Sequence, residues 1–191
     1  MPMQHFSDEF RKRREANVEA IQKAFGVAVA DPTSNQSTRY RTIRTGSKVT
    51  IFTVGYEKRS GEELMSLLRD AGAEVLADVR EKPMSRLPDF RAASLRQLCQ
   101  EAGIEYEGWA QLGSTEDQRD HLKKTGDFAL FASHFRRHVE KSRQDDLDKL
   151  TKKAQKKTVA LLCYERDHED CHRSIVADIV ADRLKASIVA I

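Results

Sequence analysis

The sequence predicts an α/β fold built on a mainly parallel sheet of about four to five strands. Short apolar runs alternate with stretches of helical apolar spacing along most of the chain, an order that favours parallel strands joined by helices. The runs at 49–54 and 158–163 are apolar at nearly every position, which is typical of strands covered on both faces. We therefore expect a Rossmann-like arrangement of three layers, with helices on both faces of the sheet.

The first predicted unit is a strand, a helix and a second strand. The strand at 49–54 is followed by Ser60 and Glu63, whose S-x-x-E spacing indicates a capping box at a helix start. Leucines at helical spacing continue this helix to Gly72, and a second strand follows at 75–79. Two strands joined in this way are expected to be parallel, with a right-handed crossover.

The later elements continue the alternation. Helices are expected where apolar residues recur at helical spacing, over 95–102, 128–139, 147–154 and 171–184. Further strands are expected at the apolar runs 104–106, 158–163 and 187–191. Residues 108–126 are polar and are expected to form a loop.

Residues 1–48 are expected to form an N-terminal extension to a single α/β domain at 49–191. Apolar residues at helical spacing predict a helix over 7–25. Residues 31–48 are rich in polar and turn-forming residues and are expected to form a linker.

Charge is unevenly distributed along the chain. Residues 1–50 carry nine Lys or Arg and five Asp or Glu, whereas residues 51–191 carry 24 Lys or Arg and 25 Asp or Glu. The basic clusters Arg11–Arg14 and Arg39–Arg44 can bind a phosphate backbone, as in nucleic acid. The alternative is a solvated helix face followed by a basic linker.

Composition argues against a membrane-spanning protein and against a disulfide scaffold. Charged residues make up 33% of the 191 residues, and no apolar run approaches the roughly 20 residues of a spanning helix. The three cysteines are an odd number without scaffold spacing. We expect a protein of the reducing cytoplasm that has no membrane partner.

Candidate site residues follow the predicted strands, since ligands of parallel sheets bind beyond the carboxyl ends of the strands. After the first strand, Gly55 and Tyr56 lead into a helix N-terminus, which either attracts anions or is a capped turn. In the second strand, Asp78 needs a partner because a buried carboxylate is costly alone. Arg80 lies two residues further along the same strand face.

Basic residues surround the loop that follows Asp78. Arg80, Arg86 and Arg91 can together clamp an anion, and Ser85 lies in the same proline-stiffened loop. The alternative is a structural Asp78–Arg80 pair beside a rigid loop.

The third strand end concentrates reactive side chains within 163–174. The thiol of Cys171, at a helix start beside His172 and Arg173, is expected to have a lowered pKa and to act as a nucleophile. Glu165 can serve as a general base or orient His172. Arg173, Ser174 and the free N–H groups of the helix start can hold an oxyanion.

Two other interpretations of this segment stay open. Zinc is one, with Cys163, His168, Cys171 and His172 as ligands, although their spacing matches no standard ligand pair. The other is two ordinary cysteines and a helix cap.

These motifs resemble the uncharacterised DUF488 family over about residues 51–184. The motifs that carry the resemblance are Thr53-Val54-Gly55-Tyr56-Glu57, Asp78-Val79-Arg80 with Pro83 and Ser85-Arg86, Gly103-Ile104-x-Tyr106, and Cys163-x-Glu165 with Cys171-His172-Arg173-Ser174. Because the family's activity is not established, the resemblance implies the fold and the position of the site rather than a reaction. A fainter resemblance to rhodanese-like domains implies that Cys163 carries sulfur.

The sequence favours an enzyme that acts on an anionic, phosphate-bearing substrate such as a nucleotide or nucleic acid. Arg80, Arg86 and Arg173 are expected to bind the anion. The expected substrate site is completed by Gly55, Tyr56, Asp78, Ser85, Tyr106 and Ser174. The expected catalytic residues are Glu165, Cys171, His172 and Cys163, and no resident cofactor is expected. Two alternatives stay open: a thiol or sulfur transferase acting through Cys163 or Cys171, and a non-catalytic module that binds nucleic acid or senses a ligand.

Overall fold

The computed structural model describes residues 40–46 and 49–191, and within them the chain forms one sheet of six strands. The strands are β1 (Arg41–Arg44), β2 (Thr50–Gly55), β3 (Val75–Asp78), β4 (Glu105–Gly108), β5 (Val159–Cys163) and β6 (Ser187–Ala190). Their order across the sheet is β1-β6-β2-β5-β3-β4. Only β1 is antiparallel to its neighbour; all other pairs are parallel. The predicted α/β class with a mainly parallel sheet is confirmed.

Six α-helices connect the strands of the described part of the chain. They are α1 (Gly61–Asp70), α2 (Ala92–Glu101), α3 (Glu116–Thr125), α4 (Phe128–Ser142), α5 (Gln144–Ala154) and α6 (His172–Leu184). Two short 3₁₀ turns lie at Pro88–Phe90 and Ala110–Leu112. Of the described helices, none is both long and apolar enough to cross a membrane.

Both faces of the sheet are covered, because the central strand β5 sends alternate side chains into two separate hydrophobic cores. Val159 and Leu161 pack in the core that contains the buried faces of α4, α5 and α6. Ala160 and Leu162 pack in the core that contains those of α1 and α2. All five residues of β5 are buried, which explains its unbroken apolar run. Each fully buried leucine contributes about 1.5–3 kcal/mol to this packing.

The predicted strand–helix–strand unit is present at β2, α1 and β3. Ser60 Oγ accepts a hydrogen bond from the Glu63 N–H at 3.1 Å, and Glu63 Oε2 accepts one from the Ser60 N–H at 2.7 Å. Gly72 follows the helix with φ of +64°, the left-handed conformation that glycine adopts without strain. The two strands are parallel, and β5 lies between them.

The expectation of a loop over 108–126 is wrong, because that range contains helix α3. This helix buries none of its residues, so it carries no apolar stripe from which a periodicity argument can start. Its ends are nevertheless marked. Thr115 and Gln118 form a reciprocal capping box, and Gly126 has φ of +66° after the last turn.

The predicted linker over 31–48 contains strand β1 at Arg41–Arg44. Ile43 is the one apolar residue of this strand and packs against the first core. Arg41 and Arg44 pair with Glu169 and Asp182, each at 2.6 Å. An edge strand of four residues with two arginines has no apolar run, so no strand was predicted from its residue pattern. The predicted helix over 7–25 lies outside the described residues.

Candidate functional site

Three carboxyl strand ends meet in the middle of the sheet. Because β5 lies between β2 and β3, its last residue, Cys163, is opposite Gly55 of β2, and Leu162 is opposite Asp78 of β3. The side chains beyond these ends form two groups. We call Cys163, Glu165, Cys171 and His172 the thiol cluster, and Tyr56, Asp78, Arg80 and Tyr106 the Asp78 network.

The Asp78 network is centred on a buried ion pair. Arg80 Nε donates to Asp78 Oδ1 at 2.7 Å, and Arg80 Nη2 donates to Asp78 Oδ2 at 2.6 Å. Tyr106 donates its hydroxyl to Asp78 Oδ2 at 2.8 Å. The side chains of Asp78 and Arg80 are 0% and 6% exposed, so the pair depends on these bonds to offset its lost hydration. The predicted pairing of Asp78 with Arg80 is confirmed.

The rest of the Arg80 guanidinium is bonded within the protein as well. Nη1 donates to the Tyr56 hydroxyl at 3.1 Å and to the Phe90 carbonyl at 2.9 Å, and the guanidinium lies 5.1 Å from the centre of the Tyr56 ring. Burial disfavours the charged form of Arg80. The hydrogen bonds and the charge of Asp78 outweigh burial, and the pKa of Arg80 is raised. These contacts support the structural interpretation of the pair, with the donors of Arg80 turned inward.

Unlike Arg80, the other basic side chains of the expected clamp, Arg86 and Arg91, are exposed. Arg91 donates through Nε to the backbone carbonyl of Ser85 at 3.2 Å, and Ser85 Oγ accepts from the Leu87 N–H at 3.1 Å. Ser85 and Arg91 therefore fix the shape of their own loop.

The thiol cluster joins the end of β5 to the start of α6. Cys171 is the N-cap of that helix and His172 is its first residue. His172 Nδ1 lies 3.7 Å from Cys163 Sγ and 3.9 Å from Cys171 Sγ. Cys163 donates its S–H to Glu165 Oε2 at 3.3 Å. Both thiols and the imidazole are buried.

A backbone carbonyl fixes the orientation of the imidazole. His172 Nε2 lies 2.9 Å from the Val79 carbonyl oxygen, which only accepts, so Nε2 carries a proton. In the neutral imidazole the lone pair is then on Nδ1, the nitrogen that faces both thiols. Ser114 Oγ also lies near Nδ1, at 3.4 Å. Since Val79 lies between Asp78 and Arg80, this bond also ties the thiol cluster to the Asp78 network.

The two thiols have opposite pKa shifts. For Cys171, burial works against the thiolate, but Cys163, Arg173 and His172 together lower its pKa well below the ordinary value. Burial and the neighbouring Cys171 raise the pKa of Cys163 well above that value. Burial likewise raises the pKa of Glu165, to about 8. The cluster thus pairs one acidic thiol with one weakly acidic thiol and a carboxyl of raised pKa.

Arg173 and Ser174 bond within the protein, like Arg80. Arg173 is 0% exposed and donates to the carbonyl oxygens of Glu165 and Arg166, at 2.5 and 3.0 Å. Ser174 Oγ donates to the Cys171 carbonyl at 2.8 Å. Arg173 therefore holds the loop after Cys163 against α6.

A family model described as "Domain of unknown function DUF488" matches residues 60–180. The chain belongs to the DUF488 family. The matched range includes more than half of the chain, all of the thiol cluster, and Asp78, Arg80 and Tyr106. No curated protein and no solved structure gives a match to the chain.

Within the DUF488 region, His168 is not part of the thiol cluster, although the zinc interpretation of the sequence included it as a ligand. It is 3% exposed, and its Nδ1 lies 2.9 Å from Thr53 Oγ1 on β2. Burial lowers the pKa of His168 to about 4, and the charge of Arg173 adds to this effect. His168 therefore anchors the loop to the sheet as a neutral side chain.

Sequence reasoning missed two contributors to the DUF488 site. The Val79 carbonyl holds His172, and a backbone acceptor leaves no mark on the residue types of a sequence. Ser114 contacts His172 from the turn after β4, 58 positions away in the chain. Only its position could have identified Ser114, because the turn follows a parallel strand and sites lie beyond the carboxyl ends of such strands.

Proposed function

We propose that this DUF488 protein is a cysteine-dependent thiol transferase that exchanges sulfur–sulfur bonds at the thiol cluster. One observation carries the proposal: the sulfur atoms of Cys163 and Cys171 both face Nδ1 of the same imidazole, at 3.7 and 3.9 Å. Cys171 also lies at a helix N-terminus, a position that favours a thiolate. The lowered pKa of Cys171 and the raised pKa of Cys163 support a division of roles between the two thiols.

The reaction proceeds in two thiol–disulfide exchanges. First, the Cys171 thiolate attacks one sulfur of a substrate disulfide. A bond forms between Cys171 and that sulfur, and the other substrate sulfur leaves as a thiolate. Next, Cys163 loses its proton and attacks the Cys171 sulfur. The second substrate thiolate leaves, and a Cys163–Cys171 disulfide remains. The substrate gains two electrons, and a small thiol reductant returns the protein to its starting state.

Glu165 is placed to move the proton of the second exchange. Its Oε2 accepts the S–H of Cys163 at 3.3 Å. A carboxylate whose pKa is about 8 is a stronger base than an ordinary one, and it is better matched to a thiol of raised pKa. The protonated carboxyl can then return this proton to a leaving thiolate.

The contacts favour thiol exchange over action on a phosphate-bearing substrate. Arg80 and Arg173 direct their guanidinium donors at Asp78, Tyr56 and backbone carbonyls. An anion at Arg80 must therefore displace bonds already made, whereas the buried Nε of Arg173 has no hydrogen-bond partner among the described residues. Burial of both thiols restricts the substrates of an exchange to small disulfides and related sulfur compounds.

Oxidation of the reduced, metal-free protein with a small disulfide such as cystamine tests the function. Peptide mass spectrometry of the product is expected to show a Cys163–Cys171 cross-link. The Cys163→Ser variant is expected to stop after the first exchange, with the cystamine fragment on Cys171. Cys99→Ser is the matched control, because Cys99 is buried on α2 and burial raises its pKa to about 12. Labelling of Cys99 at the rate of Cys171, or a folded protein without the cross-link, contradicts the proposal.

A further inference from the structure

We propose that Cys163, Cys171 and His172 form a binding site for one thiophilic divalent metal ion, zinc being the best fit. The three ligand atoms, two Sγ and Nδ1, all lie within 4.8 Å of one another. They come from the end of β5 and the start of α6, two elements packed in the core. The three residues do not have a standard ligand spacing along the chain, and it is the fold that brings them together.

The distances fit a tetrahedral ion closely. Zinc binds thiolate sulfur at about 2.3 Å and imidazole nitrogen at about 2.0 Å, so tetrahedral sulfur and nitrogen ligands lie about 3.5 Å apart. In the protein, His172 Nδ1 is 3.7 Å from Cys163 Sγ and 3.9 Å from Cys171 Sγ. For these two sulfur–nitrogen pairs an ion therefore requires movements of only a few tenths of an ångström, and the two sulfur atoms lie within 4.8 Å of each other.

The imidazole is oriented as a metal ligand requires. Its Nε2–H points at the Val79 carbonyl, 2.9 Å away, which leaves the Nδ1 lone pair directed at the two sulfur atoms. Metal-bound histidines usually donate their second N–H to such an acceptor, which fixes both the tautomer and the ring plane.

Glu165 lies beside the three ligands without being one of them. Its Oε2 is 3.3 Å from Cys163 Sγ but is not within 4.8 Å of all three ligand atoms, so the fourth position of a tetrahedral ion is left to a water molecule. Two thiolates and an imidazole form a donor set that favours zinc over magnesium or calcium, which prefer all-oxygen sites.

Metal binding and disulfide formation use the same two sulfur atoms and exclude each other. A bound zinc ion holds both cysteines as thiolates and blocks attack on a substrate disulfide. This regulatory consequence rests on the proposed function, whereas the metal site itself rests on the geometry alone.

Titration of the reduced full-length protein with Co²⁺ under anaerobic conditions tests the site, because Co²⁺ reports both geometry and sulfur ligation. We expect one Co²⁺ per chain, the intense visible bands of tetrahedral Co²⁺, and a near-ultraviolet band from thiolate-to-cobalt charge transfer. Zn²⁺ should remove these bands, and Mg²⁺ should not. A folded protein without the charge-transfer band overturns the proposal.

Variants identify the ligands. Cys163→Ser and Cys171→Ser should each reduce the charge-transfer band by about half, since each removes one of two thiolates, and Cys99→Ser should leave it intact. Glu165→Gln should keep both the visible bands and the charge-transfer band, since Glu165 is not one of the three ligands. If a serine variant does not fold, the melting temperature of the wild-type protein decides. It should rise with Zn²⁺ and fall back with a chelator, and a melting temperature that Zn²⁺ does not change counts against the site.

The two proposals fail separately. Disulfide exchange is measured in chelator, where a missing metal site has no effect. Cobalt spectra are measured in the reduced state without a disulfide substrate, where an absent exchange activity has no effect.

Discussion

Asp78 is the residue on which the stability of the strand ends depends most. It is the counter-charge of the buried Arg80, and its Oδ1 and Oδ2 accept four hydrogen bonds from Arg80 and Tyr106. Asp78→Asn keeps the shape and removes the charge, which leaves a buried guanidinium without a counter-ion. We expect a loss of about 3–5 kcal/mol in the free energy of unfolding, measured by urea denaturation.

Two controls separate this effect from a general loss of charge. Lys82→Gln removes the exposed Lys82–Glu116 pair at 2.9 Å, and it should leave the urea midpoint unchanged because exposed pairs contribute little. The double variant Asp78→Asn, Arg80→Met should recover part of the stability, since no unpaired charge remains. An Asp78→Asn protein as stable as the wild type contradicts the structural role and reopens anion binding by Arg80.

At the residue scale, the sequence indicated which side chains gather but not what they bond to. The i, i+2 spacing was enough to pair Asp78 with Arg80, because a strand places both on one face. The types and order of Cys163, Glu165, Cys171 and His172 were enough to place a reactive site. The partners of Arg80 and Arg173 depend on backbone carbonyls from other segments, and those positions follow only from the complete fold.

Among the elements, the junction of β2 with the loop after β5 is the tightest contact at the site. The Tyr56 N–H donates to the Cys163 carbonyl at 3.2 Å, and the Glu57 N–H donates to the Tyr164 carbonyl at 2.9 Å. A Cβ on Gly55 would lie 1.8 Å from the Glu165 carbonyl oxygen, and a backbone atom cannot swing aside as a side chain can. Glycine at position 55 therefore lets the loop that carries Glu165 approach β2.

The Gly55→Ala variant is expected to separate this loop from β2 and to destabilise the protein by about 3 kcal/mol or more. It should also weaken Co²⁺ binding, because Gly55 is paired with Cys163 across the two strands and the backbone next to that ligand moves. The matched control is Gly108→Ala on β4, where an added Cβ meets no atom within 4 Å and stability should hold. Thermal denaturation measures both variants, and equal melting temperatures would show that the loop adapts without cost.

At the element scale, prediction succeeded where an element buries a continuous apolar run or stripe. Strands β2 and β5 and helices α4 and α6 bury such residues. Helix α3 and strand β1 were missed because α3 buries no residue and β1 places its arginines toward acidic partners. Helix caps and ion pairs stabilise these two elements, and a search for apolar periodicity does not detect such contacts. The spacing of Thr115 and Gln118 nevertheless matches a capping box and could have predicted the start of α3 from the sequence.

At the scale of the whole molecule, the excess positive charge of the N-terminal quarter belongs to residues 38–50. Residues 1–37 hold five Lys or Arg and five Asp or Glu, whereas residues 38–50 hold four and none. Of these four, Arg41 and Arg44 are on β1 and pair with Glu169 and Asp182. Nucleic-acid binding through Arg11–Arg14 and Arg39–Arg44 stays a prediction, and Arg41 and Arg44 would have to exchange these ion pairs for phosphate contacts.

Two truncated chains test where the folded unit begins. Residues 38–191 include all six strands and both hydrophobic cores of the described part of the chain, so this chain is expected to unfold cooperatively. Residues 47–191 lack β1, which pairs with the outer edge of β6, and also lack Gly46, whose N–H donates to Ser187 Oγ at 2.8 Å. We expect this chain to be less stable than 38–191 by about 2–4 kcal/mol, as several net hydrogen bonds of about 0.5–1.5 kcal/mol each are lost. Urea denaturation compares the two chains. Equal midpoints would show that β1 adds nothing to the sheet, and an unfolded 38–191 chain would show that residues 1–37 belong to the folding unit.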